Sequence, residues 1–173
     1  GTMDILDAVK GRRSIRRFRN TPLPAHFIGT LEDSLLEAPS AGNLQSRSFY
    51  FVFREETRKR LAEAGYHQDF IGEAPLAVVC CADLRIANRY GERGRSLYCL
   101  QDVAASVQNL MLVAYSLGLG TVWVGAFDEK EVSRIMNLPA HLRPVAIVPV
   151  GYPDEEPPPP GRVRKGEAIA HLR

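Results

Sequence analysis

Apolar positions along this chain recur at two spacings, and each change of spacing marks an element. Ile5, Leu6, Ala8 and Val9 predict a short helix over 4–10, with Asp4 as its N-cap and Gly11 as its stop. Phe27, Ile28, Leu31, Leu35 and Leu36 form a helical stripe over 25–38, which Pro39 ends. Ser40-Ala41-Gly42-Asn43 reads as a turn, and the aromatic run from Phe49 to Phe53 as a strand. A charged helix follows from Glu55 to Ala64 and closes at Gly65. Leu76 to Ala82 is apolar without interruption, which suits a buried central strand. Val103, Val107, Leu110, Met111 and Ala114 keep a 3.6-residue period inside the longest helix, 97–117, stopped by Gly118. Thr121 to Phe127 is a strand or extended turn. Asp128 and Glu131 make a capping box for a helix reaching Leu138. Pro144 to Val150 is a second buried strand.

This order predicts an α+β chain, three layers deep, with a sheet of four or five strands. The 173 residues suit a single domain able to bury roughly 70% of its unfolded surface. Pro157 to Pro160 reads as a stiff extended spacer. The tail over 161–173 has too few apolar residues for its own core and is expected to dock on something. Gly1-Thr2 before Met3 reads as a tag remnant.

Charge sharpens the picture. The net charge of +2 does not suit a general polyanion binder, and Asp154-Glu155-Glu156 argues further against nucleic acid. Both ends are nevertheless basic: Lys10, Arg12, Arg13, Arg16, Arg17 and Arg19 near one, Arg162, Arg164, Lys165 and Arg173 near the other. The two ends could meet at one anion. No apolar run approaches a membrane span, and no signal peptide is visible. Cys80, Cys81 and Cys99 show no disulfide spacing. A reducing, cytoplasmic setting is therefore expected, with Cys80 and Cys81 on opposite faces of their strand. His26, His67, His141 and His171 are scattered, so no structural zinc is expected.

Arg12-Arg13-Ser14-Ile15-Arg16-Arg17-Phe18 holds the most pointed chemistry. Guanidinium forks and a serine hydroxyl just beyond a helix suit a phosphorylated small molecule, and equally a solvated basic turn. Ser40 to Gln45 offers amide groups for the edge of a heterocycle, or simple turn chemistry. Gly118-Leu119-Gly120 with Gly125 is not a dinucleotide loop, because a helix precedes it and a strand follows. Gly120 and Gly125 instead suit close backbone approach. Asp102 reads as a cap or dipole residue near a helix start, Cys99 as a buried thiol and Trp123 as core.

Taken together, these segments resemble the nitroreductase family of flavoproteins. The resemblance is carried by Arg12 to Phe18, by Ala38-Pro39-Ser40-Ala41-Gly42-Asn43-Leu44-Gln45, by Asp102 through Gly125, and by Gly151-Tyr152-Pro153 with Arg162. It implies a three-layer α/β/α fold with a mostly antiparallel sheet, an obligate homodimer, and FMN bound at the subunit interface. Arg12, Arg13, Ser14 and Arg16 would hold the ribityl phosphate and flavin edge, with Arg162, or Arg164 if the arm is shifted, closing on the phosphate. Ser40, Asn43 and Gln45 would reach the flavin, the Pro39–Ser40 corner coming from the partner subunit. Val124 and Gly125 would lie beside the ring. The implied activity is ping-pong hydride transfer from NAD(P)H through FMN N5 to a nitroaromatic, quinone or similar acceptor. Relatives specialised as flavin destructases, dehalogenases or ene-type reductases share the scaffold, as would a non-catalytic FMN-binding protein. Two departures stand out. Ser46-Arg47 replaces the Pro-Trp that often follows the loop glutamine. The stretch between Asp83 and Leu97 is short and polar, with Arg85, Arg89, Arg93 and Arg95, so the site is expected to be open and attractive to anions.

Overall fold

The apolar run at the middle of the sequence forms the strand around which the chain is built. The computed structural model describes residues 3–173; Gly1-Thr2, read as a tag remnant, lies outside the described residues. Four strands, β1 (Arg47–Val52), β2 (Leu76–Asp83), β3 (Gly120–Thr121) and β4 (Leu142–Gly151), form one sheet in the order β1-β2-β4-β3. Every strand pair in it is antiparallel. Helices α1 (Ile5–Gly11), α2 (Ala25–Leu36), α3 (Glu55–Ala64), α4 (Phe70–Glu73), α5 (Ala87–Arg93), α6 (Cys99–Ser116), α7 (Glu129–Met136) and α8 (Lys165–Ala168) complete the chain.

Strand periodicity sorts the central residues onto two faces. Leu76, Val78, Cys80 and Ala82 pack with Leu31 and Leu35 of α2 and Val103, Val107 and Leu110 of α6. Ala77, Val79 and Cys81 face the other way, with Leu61 of α3 and Val132 of α7. The outcome is the expected three-layer architecture. α6 is also tied to α2 by hydrogen bonds: Ser106 Oγ donates to the Leu35 carbonyl (2.6 Å) and Asn109 Nδ2 to that of Ser34 (3.1 Å). These satisfy carbonyls near the α2 terminus. Among the described residues no helix is long and apolar enough to cross a membrane.

Several boundaries differ from expectation. β1 begins at Arg47 rather than Phe49, and of the two readings for 121–127, strand or extended turn, the turn holds beyond the short strand Gly120–Thr121. Beyond Thr121 the backbone rejoins the sheet only at Val124, opposite Ile147. The polar stretch after Asp83 is helical: a turn at Leu84–Ile86, then α5, then a wide helical turn at Gly94–Tyr98 leading into α6. Its arginines face water while Ile86 and Gly94 are buried beneath them.

Cys80 and Cys81 lie on opposite faces, as their adjacency in a strand requires, and all three cysteines are free and buried. Burial pushes the Cys81 thiol up from 9.0 to about 12. It raises Cys80 as well, with Cys81 adding to the effect. Both groups are neutral when folded and ionise more readily once exposed. Their contribution to stability is therefore complete below the ordinary thiol value and declines as pH rises through the alkaline range toward about 12. Thiol titration of the native protein at pH 8 is expected to leave both unreacted, and denaturant to release them. Prompt labelling of the native protein would contradict this burial.

Candidate functional site

The basic segment after α1 is not helical, and two of its apolar residues turn inward. Ile15 and Phe18 are buried with Ala74, which leaves the arginines on the outer side. Backbone pairing fixes the segment between two strand ends. Ile15 N–H donates to the Thr121 carbonyl (2.9 Å), Arg19 N–H to that of Tyr152 (3.0 Å), and Asp154 N–H to that of Arg17 (2.8 Å). The Glu155 carboxylate accepts from Arg16 N–H at 2.6 Å. Gly120 makes this possible: a Cβ there would sit 2.7 Å from Ile15 Cγ1.

The chain ends thus meet. Beyond Glu155 the proline run carries the backbone to Arg162, whose charge reaches Arg12. Arg12 is half-buried, and its pKa is lowered first by burial, then by Arg162, then by Arg13. Among the described residues, no carboxylate forms an ion pair with the guanidinium of Arg12, Arg13, Arg16 or Arg162. Arg13 bends back to donate to the Lys10 and Arg12 carbonyls, both at 2.9 Å. Arg164, the alternative to Arg162, is already paired with Glu167 (3.0 Å). Crowded guanidinium groups left unpaired by carboxylates are the electrostatic form of an anion site.

The amide-bearing loop is built by a tight turn at Ala41–Asn43. Gly42, Asn43 and Gln45 all have positive φ, at 56°, 56° and 54°. Gln45 N–H donates to Ser40 Oγ (3.0 Å), and Gln45 Nε2 to the Asn43 carbonyl (3.1 Å). Pro39, Asn43 and Gln45 are exposed, and Ser40 is half-buried. Asp102 is not a helix cap. It is 3% exposed, within α6, and its carboxylate accepts from Ala41 N–H (2.9 Å) and Ser46 Oγ (2.6 Å). The signal was in the sequence: Cys99, Asp102, Val103 and Ser106 share one buried helical stripe, where a carboxylate requires partners. Arg47 points inward too, donating to the carbonyls of Ala38, Pro39 and Asp102. Burial lowers its pKa, and Asp102 opposes that shift.

Val124 is buried, with its N–H and carbonyl both bonded to Ile147 (2.9 and 3.0 Å), so it anchors the turn rather than offering free groups. Gly125 beside it is exposed, and a side chain there would meet open space, so no close backbone approach explains it. Trp123 is not core: it is 40% exposed, because Val122 and Val124 occupy the inward positions of the alternation. Trp123, Gly125, Leu100, Ala104 and Arg143 line a cavity of about 420 Å³. A larger cleft of about 600 Å³ between Phe18, Glu55, Lys59 and Glu73 contains none of the predicted site residues.

The arginines after Asp83 are largely engaged. Arg85 forks onto Asp83 (2.7 Å) and holds its carboxyl below the usual range. Arg89 lies over the Tyr90 ring, and Arg93 over that of Tyr98. They sheathe α5 more than they create a free anionic attraction.

Comparisons with known proteins agree with this arrangement. The family model described as "Nitroreductase family" matches residues 9–66 and 62–152. An NADH dehydrogenase of Thermus thermophilus is 34% identical over 90% of this chain and 91% of its own length. The structure of B. megaterium NfrA2 superimposes with a TM-score of 0.91 at 26% identity, covering 99% of this chain and 75% of that one. An NADPH:FMN oxidoreductase from Vibrio harveyi complexed with NAD+ gives 0.90 at 25% identity, over 98% and 77%. With the basic segment, the amide loop, α6 and the strand after it all falling within the matched span, this chain belongs to the nitroreductase family.

Proposed function

We propose that the chain is an NAD(P)H-dependent oxidoreductase that holds FMN between two copies of itself. It reduces a nitroaromatic, quinone or similar small acceptor in ping-pong order. Bound FMN supplies the hydride chemistry, through N5, between the nicotinamide and the acceptor. The chain's own groups bind and orient. The observation that carries this reading is that the charge of Arg162 reaches Arg12 and that, among the described residues, neither guanidinium is paired with a carboxylate. Two guanidinium forks match a phosphate group, and the Ser14 hydroxyl adds a donor. Arg13 and Arg16 hold the surrounding field. Gly125 leaves room for a flat ring, Val124 keeps the turn fixed, and Asn43 and Gln45 offer amides to its polar edge. The family relationship supports the same cofactor, since one structural neighbour is named an NADPH:FMN oxidoreductase.

Distance supports the pairing of two copies. Gly11, next to the basic segment, packs on Tyr115 near the C-terminal end of α6. The amide loop hangs on Asp102 near the other end, about 20 Å along the helix. The Pro39–Ser40 corner of a second copy closes that gap. Ile5, Leu6 and Val9 of α1 and Val163, Ile169 and Leu172 of the arm are large exposed apolar residues, the kind of surface that such pairing covers.

Purified protein is expected to be yellow, to bleach when NADH or NADPH is added without oxygen, and to regain colour with a quinone. A flavin that stays yellow with both nucleotides would make the protein a binder rather than an enzyme. Colourless protein that takes up no FMN would overturn the reading.

A further inference from the structure

The loop that carries Ser40, Asn43 and Gln45 is intrinsically unfavourable. Three of its residues sit at positive φ, and two of them, Asn43 and Gln45, carry side chains. A Cβ on Gly42 would also displace the Tyr90 hydroxyl on α5. Internal hydrogen bonds close the turn but do not fix where it points. That is done from outside. One Asp102 oxygen accepts from Ala41 N–H on the entering side, at 2.9 Å. The other accepts from Ser46 Oγ and N–H on the leaving side, at 2.6 and 3.3 Å. Arg47 then draws in the residues before the loop, at 2.9 Å to the Pro39 carbonyl and 2.6 Å to that of Ala38, with a further bond to the Asp102 carbonyl. Both side chains are nine-tenths or more buried, and both flanks of the loop are held by the same turn of α6.

We propose that Asp102 and Arg47 are positioning residues: a buried latch that presets the amide loop for the flavin ring. This rests on the reading of that loop as a flavin contact. It assigns a role to Ser46-Arg47, where the family often has Pro-Trp: an inward anchor rather than a cleft wall. A preset loop binds its ligand without an ordering cost, so loosening the latch should weaken flavin affinity through the ring and leave the phosphate contact intact.

Two variants test it. Asp102→Asn keeps the volume but loses the charge, and its amide nitrogen cannot accept from Ser46. Ser46→Ala removes a single donor and guards against a misfolded Asp102 variant. In the apoprotein, hydrogen exchange at the Ala41 and Ser46 amides is expected to accelerate about tenfold in Asp102→Asn. Affinity for FMN and for riboflavin is expected to fall by a similar factor, about tenfold, because both share the ring. Ser46→Ala should show the same pattern at roughly threefold. Lowered melting temperature with unchanged loop exchange and flavin affinity would overturn the latch. Faster loop exchange in a protein whose wild type takes up no flavin would keep the anchor but overturn the flavin reading, so the two failures are separable.

Discussion

Arg12→Ala is expected to weaken FMN binding by about 100-fold, close to 3 kcal/mol, with almost no change in fold stability. Arg12 is half-buried, as is Arg13, and burial and two neighbouring cations already press on the Arg12 charge. A dianionic phosphate relieves that repulsion, so the attraction lost on mutation exceeds that of an exposed arginine. Arg162→Ala should follow the same direction more weakly, since Arg162 is exposed. The double variant should cost less than the sum of the two, because both groups address one phosphate. Calorimetric titration with FMN at fixed ionic strength checks all three.

Gly120→Val carries the largest expected effect on stability. A Cβ at this position would lie 2.7 Å from Ile15 Cγ1 and 2.9 Å from Ile15 Cβ, both close to a backbone that is itself paired to Thr121. Overpacking of that kind costs about 3 kcal/mol, or roughly 10 °C in melting temperature for a chain of this size. The clash also lifts the basic segment off β3, so FMN affinity should fall with stability, unlike the Arg12 variant. Gly29→Ala is the matched control. Gly29 lies inside α2, where a Cβ would meet open space, so the change should be neutral or mildly stabilising. Thermal melts of the three proteins with and without FMN separate packing from binding.

Much of the fold was legible because burial and period agree. The run from Leu76 is buried throughout β2, and Glu55 to Ala64 forms a helix with the expected ends. The helix over 129–136 is capped by Asp128, which accepts from Glu131 N–H, but Glu131 turns its own carboxylate to Arg134, so only half of the expected box forms. Less legible were features set by tertiary contact. Whether Asp102 caps a helix or grips a loop depends on what lies opposite, and local spacing alone does not show that. Trp123 reads as core because its neighbours are apolar, yet in the turn beyond β3 Val122 and Val124 take the inward positions and Trp123 faces outward. Of the site residues, the basic segment was found through its composition. Its meeting with Arg162 depended on a sheet-edge pairing between residues more than a hundred positions apart, which no local pattern encodes.

The most direct measurement compares FMN with riboflavin, which shares the ring and lacks the phosphate, by titration into the apoprotein. FMN is expected to bind at least about 100-fold more tightly, and the margin should shrink to a few-fold in Arg12→Ala. Equal affinity for the two flavins in the wild type would contradict an arginine clamp on the phosphate.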